Sequence, residues 1–312
     1  MALTLTEGNK YSITSLEAQI IDRLTKDSLV LQKLPFREIL GNSLTYDTIV
    51  TRSGADFYSV GDTWSEDTPT STQDTVTLKI LGGDADVDEF IVQTRSNILD
   101  VKAEALMDKA KAVQEKYLDT FYYGSTSGNA KSFKGLHGFM TSTTYNTVHA
   151  SSSAGSDLSI KKVREAMDLI SGFQPDVILM SKTLRRHMAT YLDSVGSAFP
   201  TDRGQYGKTI EYFNGVQIAV DDHIVNTETT STAGVYSSQT GSDTTSIFVV
   251  TFDPQGACGV QKSPGIQVKD LGDLETKDAT RTRIKWYCGL MYQNLKSCAK
   301  VDGIHAAGTV VA

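Results

Sequence analysis

The sequence predicts an α+β fold for this chain of 312 residues. One long segment, 97–123, has apolar residues three or four positions apart, as on one face of a helix. Strict two-residue alternation, typical of half-buried strands, occurs far from it, at 75–80 and 283–290. Residues 159–196 show a helix–strand–helix pattern. The chain therefore combines separate β-rich and α/β parts with one long helix, which is an α+β organisation.

The first helix is predicted over residues 14–34. Thr14 and Glu17 fit a capping box at its start, and Pro35 ends it because the residue before a proline disfavours the helical conformation. Its apolar face is narrow and consists of Ile20, Leu24 and Leu31. Such a helix is expected to pack against something else.

The segment 44–93 is predicted as a long two-stranded excursion. Apolar and polar residues alternate at 75–80, and residues 59–74 are polar and turn-rich, like a loose tip. From 53 to 93 there are nine acids and one base, Lys79. The acids are Asp56, Asp62, Glu66, Asp67, Asp74, Asp84, Asp86, Asp88 and Glu89. Two strands alone cannot bury enough surface to be stable, so this segment needs a neighbour in this chain or in another.

The strongest helical pattern covers 97–123, about 40 Å at 1.5 Å per residue. Asn97 is placed to cap its start, and Gly124 is placed to end it. Its apolar stripe consists of Leu99, Ala103, Leu106, Ala110, Val113, Tyr117 and Phe121. A helix of this length is expected to be a central element of the domain.

The loop after this helix, GSTSGNAKSFKGLHG at 124–138, looks like a phosphate-binding loop but fails its spacing. A phosphate loop needs a glycine directly before its lysine, whereas two residues separate Gly128 from Lys131. The helix also precedes this loop, whereas a phosphate loop precedes its helix. A helix end at Gly124 followed by a turn is predicted instead.

The rest of the chain is predicted to mix helices and strands. Residues 141–153 are Ser/Thr-rich and form a predicted loop or domain boundary, and a second such stretch covers 226–246. One helix begins at Ser159, and Ser181 caps another. The Asn214-Gly215 pair predicts a tight hairpin. The predicted strands are 176–180, 210–213, 216–220, 246–252, 266–268 and 284–290.

Composition and charge exclude several classes of protein. The chain is 39% hydrophobic and 21% charged, which is typical of globular proteins. Its net charge is −7, whereas a protein that reads DNA sequence usually has a basic face. The widely spaced Cys258, Cys288 and Cys298 favour a reducing compartment over a disulfide framework. No signal-peptide pattern starts the chain and no apolar run approaches the ~20 residues that span a bilayer, so we expect a soluble cytosolic product.

Candidate catalytic and metal-binding residues do not form a recognisable set. The run Asp-Asp-His at 221–223 resembles part of a metal site, but a polar turn after a strand is the preferred interpretation. Asp84, Asp86 and Asp88 resemble the start of a calcium loop, yet Glu89 occupies the position that needs glycine. On a strand these aspartates would share one face of a charged edge. We predict no catalytic, cofactor-binding or metal site, and therefore no enzyme.

The order of these parts resembles the major capsid proteins of tailed double-stranded-DNA phages, which have the Hong Kong 97-type fold. An arm, a β excursion, a long helix, a helix–strand–helix unit and closing strands follow in that order. In one segment, Val216 and Gln217 replace the usual Pro-Val pair of a hairpin. The segments that carry the resemblance are SFKGLHG (132–138), SIKKVREAMDLISGFQPDVILMSKTLRRHMATYLDSVG (159–196), FNGVQIAVDDHI (213–224) and GIQVKDLGDLETKDATRTRIKWYCGLMYQNLKSCAKVDGI (265–304).

The resemblance implies a division of the chain and a structural role. The implied parts are an N-terminal arm (1–43), an extended β-hairpin or E-loop (44–93), a P-domain with the spine helix (94–155), an α/β A-domain (156–264), and the P-domain return strands with the C-terminus (265–312). The implied role is a coat protein whose hexamers and pentamers form an icosahedral virion head around double-stranded DNA, without reading its sequence. Assembly would occur in the bacterial host cytoplasm, with a scaffolding protein and a portal as partners and without a membrane.

The resemblance also implies contacts between subunits, made by the acidic excursion against a basic surface. The implied contact residues are Asp62, Trp64, Glu66, Asp67, Asp74, Lys79, Lys102, Lys109, Arg281, Arg283 and Lys285. Some relatives join lysine to asparagine covalently between subunits, but the region 278–280 has no asparagine. We therefore expect no such cross-link. Because the E-loop begins by residue 44, we expect a separate scaffolding protein, or assembly without one.

Two alternatives of different kinds stay open. An encapsulin, a bacterial compartment shell of the same fold, would enclose cargo enzymes instead of DNA. An α/β enzyme centred on 156–262 would need a glycine-rich cofactor loop or paired catalytic residues, and the sequence shows neither. Native mass distinguishes an enzyme from a shell.

Overall fold

A computed structural model of the chain describes residues 28–51, 53–95, 101–141, 144–150, 155–203, 209–228 and 243–311. The predicted capping box of Thr14 and Glu17, the Asn97 cap and most of the stretch 226–246 lie outside these residues. The helices are α1 (Leu29–Lys33), α2 (Glu89–Arg95), α3 (Val101–Tyr123), α4 (Leu136–Phe139), α5 (Ile160–Leu169) and α6 (Lys182–Ser194). The strands are β1 (Phe36–Ile39), β2 (Ser43–Thr51), β3 (Thr70–Thr77), β4 (Lys79–Asp88), β5 (Thr147–His149), β6 (Leu158–Ser159), β7 (Val177–Met180), β8 (Thr201–Arg203), β9 (Thr209–Phe213), β10 (Val216–Val220), β11 (Thr244–Val250), β12 (Ala257–Asp273), β13 (Ala279–Tyr292), β14 (Ala299–His305) and β15 (Val310–Val311).

Helix α3 confirms the long predicted helix. Val30 and Leu31 of α1 join the same core, so the described end of the first predicted helix packs within this chain. The stripe residues of α3 that are at most 4% exposed are Leu106, Ala110, Val113, Tyr117 and Phe121. The apolar stripe therefore faces the core, as its helical spacing predicts.

The turn after α3 depends on two glycines that approach each other closely. The Gly124 amide donates to the Thr120 carbonyl at 2.8 Å, and the Gly135 amide donates to the Gly124 carbonyl at 2.8 Å. A Cβ atom at Gly135 would lie 2.5 Å from the Gly124 nitrogen, so a larger residue would displace the backbone. The predicted helix end at Gly124 is confirmed, and the loop folds back onto the helix.

A four-stranded sheet in the order β1-β12-β13-β4 covers α3. Ile284 and Trp286 of β13 are buried, and the Trp286 ring lies 4.5 Å from the ring of Tyr117 on α3. Arg283 and Lys285 alternate with them and are more exposed. The alternation predicted for 284–290 is therefore confirmed, with the apolar side chains on the helix side.

Strands β2 and β3 form a separate antiparallel hairpin, and β4 does not continue it. The chain leaves the hairpin at Leu78, whose amide donates to the Asn42 carbonyl, and β4 pairs with β13 instead. Gly82 allows this pairing because a Cβ there would collide with the Ile284 carbonyl. The predicted two-stranded excursion over 44–93 is thus confined to its first part. A small core anchors the hairpin base through Ile39, Tyr46, Val76, Cys258, Val260 and Met291.

A seven-stranded sheet in the order β5-β14-β11-β7-β10-β9-β8 forms the second layer with α5 and α6. The predicted hairpin at Asn214-Gly215 is confirmed, since both residues have positive φ, 49° and 83°, between antiparallel β9 and β10. Ser181 caps α6, as predicted, by accepting from the Leu184 amide at 3.4 Å. Strand β7 is buried along its whole length.

Two strands cross the segment boundaries that the resemblance implies. Strand β12 runs through the boundary between 264 and 265, and β14 from the last segment lies between β5 and β11 in the seven-stranded sheet. The division into five parts stays a prediction. Among the helices of the described residues, none combines the length and the apolar character needed to cross a bilayer.

Candidate subunit-contact surfaces

The hairpin tip, defined here as residues 53–69, exposes large apolar side chains. Phe57 and Val60 are fully exposed, and Trp64 is 77% exposed. The Trp64 ring stacks on Tyr58 with the ring centroids 4.3 Å apart. Large exposed apolar side chains within one short segment make the tip a candidate surface for contact with another molecule.

The hydrogen bonds described for the tip hold it in shape without tying it to the rest of the chain. The Gly54 amide donates to an Asp67 carboxylate oxygen at 2.7 Å, and the Ser59 amide donates to Asp62 at 2.6 Å. Two of the predicted contact acids therefore also order the tip. Glu66 is exposed beside them, and Asp74 lies on β3 opposite Tyr46. The tip is therefore a negatively charged segment whose conformation is held by its own hydrogen bonds.

The acids of 53–93 divide into two groups with different surroundings. Four of the nine, Asp84, Asp86, Asp88 and Glu89, lie on β4 and at the start of α2. The other five lie between 53 and 78, where there is no base. The hairpin and its tip therefore concentrate negative charge away from the sheet.

Two predicted cationic contact residues are paired within the chain. Arg281 donates two hydrogen bonds to Asp86, both at 2.6 Å, and Arg283 donates two to Asp84 at 2.6 and 2.8 Å. These bonds lower the pKa of both aspartates. The prediction that Asp84 and Asp86 share one face of a charged edge is confirmed, because β4 is the edge strand. Their charges are neutralised inside the subunit.

The predicted lysines have looser contacts. Lys102 Nζ lies 3.7 Å from a Glu89 carboxylate oxygen, and Lys79 Nζ donates to the Ala130 carbonyl at 2.8 Å. Lys109 lies over Gly83, where its side chain occupies the space of a missing Cβ. Lys285 is partly exposed on the outer face of the four-stranded sheet. These contacts within one subunit leave the predicted contacts between subunits as a prediction.

The cysteines and the Asp-Asp-His run at 221–223 could in principle take part in catalysis or metal binding, and their surroundings are as follows. Burial raises the pKa of the Cys258 and Cys298 thiols to about 11. In the run at 221–223, Asp221 accepts from the Tyr122 hydroxyl at 2.9 Å, and His223 hydrogen-bonds Asp119 at 2.7 Å. The run follows β10 as a polar turn, as predicted. Within the described ranges, no group of three or more His, Cys, Asp or Glu side chains is arranged to hold a metal.

One polar feature escaped the sequence analysis. Glu228, Lys300 and Asp302 are charged residue types, yet each is buried, and they cluster with His137. The available signal was the spacing of Lys300 and Asp302 within AKVDGIH, 299–305, where two charged residues two apart lie on one face of a mainly apolar strand.

Comparisons with known proteins agree on the fold. No protein-family model matches the sequence, and no curated protein matches it. The structure of the holo-SrpI encapsulin complex from Synechococcus elongatus PCC 7942 matches with a TM-score of 0.67 at 13% identity, covering 100% of this chain and 99% of that one. The capsid of a native GTA particle matches at 0.65 and 10% identity, covering 88% and 89%. A chain of Mycobacterium phage Adephagia matches at 0.58 and 14% identity, covering 91% and 90%.

These matches extend over nearly the whole of each chain, so they concern the complete fold and not one shared motif. The protein has the mixed α+β, Hong Kong 97-type capsid fold. The fold that the order of sequence segments implied is therefore confirmed.

Proposed function

We propose that this chain is a major capsid protein that self-assembles, as hexamers and pentamers, into an icosahedral phage head around double-stranded DNA. The observation that carries the proposal is the hairpin tip, which exposes Phe57, Val60 and Trp64 on a chain with a capsid fold. Large exposed apolar side chains of this kind are typical of surfaces that a partner covers. A second copy of the chain is the neighbour that a closed shell supplies.

The contact is proposed to join the acidic tip to lysines of an adjacent copy. Arg281 and Arg283 already neutralise acids of their own subunit, so Lys285 and the α3 residues Lys102 and Lys109 are the better candidates. Exposed ion pairs contribute only ~0.2–1 kcal/mol each and weaken in salt. Burial of the tip aromatics would supply the larger part of the contact, and the charges would set its register.

The content of the shell distinguishes the two candidate functions. An encapsulin-type compartment is favoured by one observation, the match to the holo-SrpI encapsulin complex over the full length of both chains. A phage head is favoured by the matches to chains from phages. Purified particles from the native source that carry nuclease-protected DNA would support the phage head, whereas particles filled with a second protein would support the compartment. A scaffolding protein and a portal are the proposed partners of the phage form.

The tip is tested by replacing Trp64. Because Trp64 contacts only Tyr58 among the described ring pairs, Trp64→Ala should leave the circular dichroism and unfolding of the subunit unchanged while shell formation falls. Trp64→Phe keeps an aromatic ring and is the matched control, expected to assemble. Assembly is followed by light scattering and negative-stain microscopy.

Two different outcomes would contradict the contact role of the tip and the proposed function. If Trp64→Ala assembles like the native chain, the contact role of the tip is wrong. If the native chain gives only monomers or dimers under all conditions, with and without a scaffolding protein, the proposed function itself is wrong.

Particles are also expected to remain non-covalent. Lys79 is the first residue of β4 and bonds a backbone carbonyl of its own chain. After boiling in detergent and reductant, particles should give one band near 33.9 kDa. A ladder of heavier species under those conditions contradicts this expectation.

A further inference from the structure

A buried polar cluster joins the α3–α4 region to the seven-stranded sheet. Tyr123 ends α3, His137 lies in α4, and Lys300 and Asp302 lie on β14. The members with at most 1% exposure of the side chain include His137, Glu228, Lys300 and Asp302. Burying this many ionisable groups is costly unless they share protons and hydrogen bonds.

Glu228 is the centre of the cluster. Its carboxylate accepts from the Tyr123 hydroxyl at 2.6 Å and from the Ser246 hydroxyl at 2.6 Å. Its amide donates to the Thr244 carbonyl at 2.8 Å, and its carbonyl accepts from the Thr244 side-chain hydroxyl at 2.8 Å. His137 Nε2 lies 4.0 Å from the same carboxyl group. Glu228 therefore connects α3, α4 and β11.

Lys300 and Asp302 extend the cluster along β14 towards the surface. Lys300 Nζ lies 3.6 Å from an Asp302 carboxylate oxygen and donates to the His137 carbonyl at 3.4 Å. The other Asp302 oxygen lies 2.6 Å from His149 Nδ1 on β5. His149 is 48% exposed at the side chain, so the buried groups are one hydrogen bond from solvent.

The two central groups have pKa values displaced towards each other. Burial raises the pKa of Glu228 to about 7, against hydrogen bonds from Ser246 and Tyr123 that lower it. Burial also lowers the pKa of Lys300 to about 7, against the nearby Asp302 and Glu228. Burial, and then Lys300, holds the pKa of His137 well below its usual value, so this imidazole stays neutral. Glu228 and Lys300 are therefore two buried groups of the cluster that change protonation near neutral pH.

We propose that this cluster is a proton-sensitive joint that makes the attachment of α3 and α4 to the seven-stranded sheet weakest near neutral pH. The inference concerns the subunit itself and holds whether or not the proposed function is correct.

Whether a group raises or lowers the stability of the fold as pH rises depends on whether the folded or the unfolded state binds its proton more tightly. The pKa of Glu228 is higher in the folded state than in the unfolded state. Its contribution to the stability of the fold is therefore complete below about pH 4.5 and is lost as pH rises through about 7. The pKa of Lys300 is lower in the folded state, so its contribution increases as pH rises from about 7 towards 10.5. Each group changes the unfolding constant by up to about tenfold per pH unit in its window. Together they place the minimum near pH 7.

The test compares the full-length native chain with Glu228→Gln, Lys300→Met and Glu165→Gln in one assembly state. Denaturant unfolding is measured from pH 5 to pH 10. Glu228→Gln should remove the fall in stability between pH 5 and 7, and Lys300→Met should remove the rise above pH 7. Glu165 is an exposed acid on α5 that pairs with Lys162, so Glu165→Gln should leave both limbs intact.

The shape of the curves decides the result. If the plots of unfolding free energy against pH for both cluster variants run parallel to that of the native chain, the two residues act only structurally and the proposed joint is wrong. Should Lys300→Met fail to fold, amide exchange of the native chain replaces it. Protection of residues 136–139 and 299–302, corrected for intrinsic exchange, should be lowest near pH 7, and protection that rises or falls monotonically through that pH overturns the proposal.

Discussion

Replacing Tyr117 by phenylalanine is expected to stabilise the protein, although Tyr117 is fully buried at the centre of the core. Its hydroxyl oxygen has no hydrogen-bond partner among the described residues, and burial raises its pKa well above the usual value. The ring packs on Trp286 at 4.5 Å and on Phe133 at 5.5 Å between centroids, and phenylalanine keeps those contacts.

The expected size of the effect follows from the unpaired hydroxyl. A buried polar group without a partner costs about 1–3 kcal/mol, and the substitution removes it. The lost contacts of one oxygen atom offset part of that gain. We expect a net stabilisation of about 1 kcal/mol, or about a fivefold smaller unfolding constant.

Tyr292→Phe is the matched control because it makes the same chemical change at a site 2% exposed. The Tyr292 hydroxyl hydrogen-bonds the Leu295 carbonyl at 2.9 Å and the Cys298 carbonyl at 3.1 Å. Removing it should destabilise the protein by about 1–2 kcal/mol. Guanidinium unfolding, followed by the fluorescence of the tryptophans, measures both variants in one assembly state. The reasoning is refuted if Tyr117→Phe destabilises the protein as much as Tyr292→Phe does.

The remaining predictions concern a turn and the thiols. Gly135→Ala should destabilise the protein because its Cβ would lie 2.5 Å from backbone atoms, whereas Gly128→Ala, in the same loop with its nearest neighbour at 3.9 Å, should be tolerated; thermal unfolding compares them, and equal melting temperatures would contradict the steric argument. The three thiols should be unreactive towards a disulfide reagent at pH 8 in the native protein and react fully after unfolding, because all are buried. Rapid native labelling of Cys258, Cys288 or Cys298 would show that the core opens.

Local patterns predicted the elements whose side chains follow one period. The stripe on α3, the alternation of β13, the Ser181 cap and the Asn214-Gly215 turn are each determined by neighbours in sequence, and each is found where it was predicted. The order of these elements along the chain then predicted the fold. This is the information that hydrophobic period and turn chemistry contain.

The pairing of strands far apart in the sequence could not be predicted from local patterns. The alternation at 75–80 is continuous in sequence, yet the chain changes partner at Leu78. Pairing of β4 with β13 involves the close approach at Gly82 and ion pairs with Arg281 and Arg283, which lie far away in sequence. The buried cluster escaped for a related reason. The spacing of Lys300 and Asp302 indicates at most one half of the cluster, and only the tertiary fold brings Glu228 and His137 to it.

The order of strands in the two sheets has a consequence for synthesis. Strand β14 inserts between β5 and β11, and β12 and β13 insert between β1 and β4, so inner strands of both sheets come from residues 257–305. Every earlier strand that they join must wait for them, since contacts across such sequence distances close late and slowly. A nascent chain would expose the unpaired edges of β4, β5 and β11 until residues 257–305 have been made, which favours chaperone engagement during elongation. Both sheets are therefore completed only after residues 257–305 have emerged from the ribosome, however early the other strands are made.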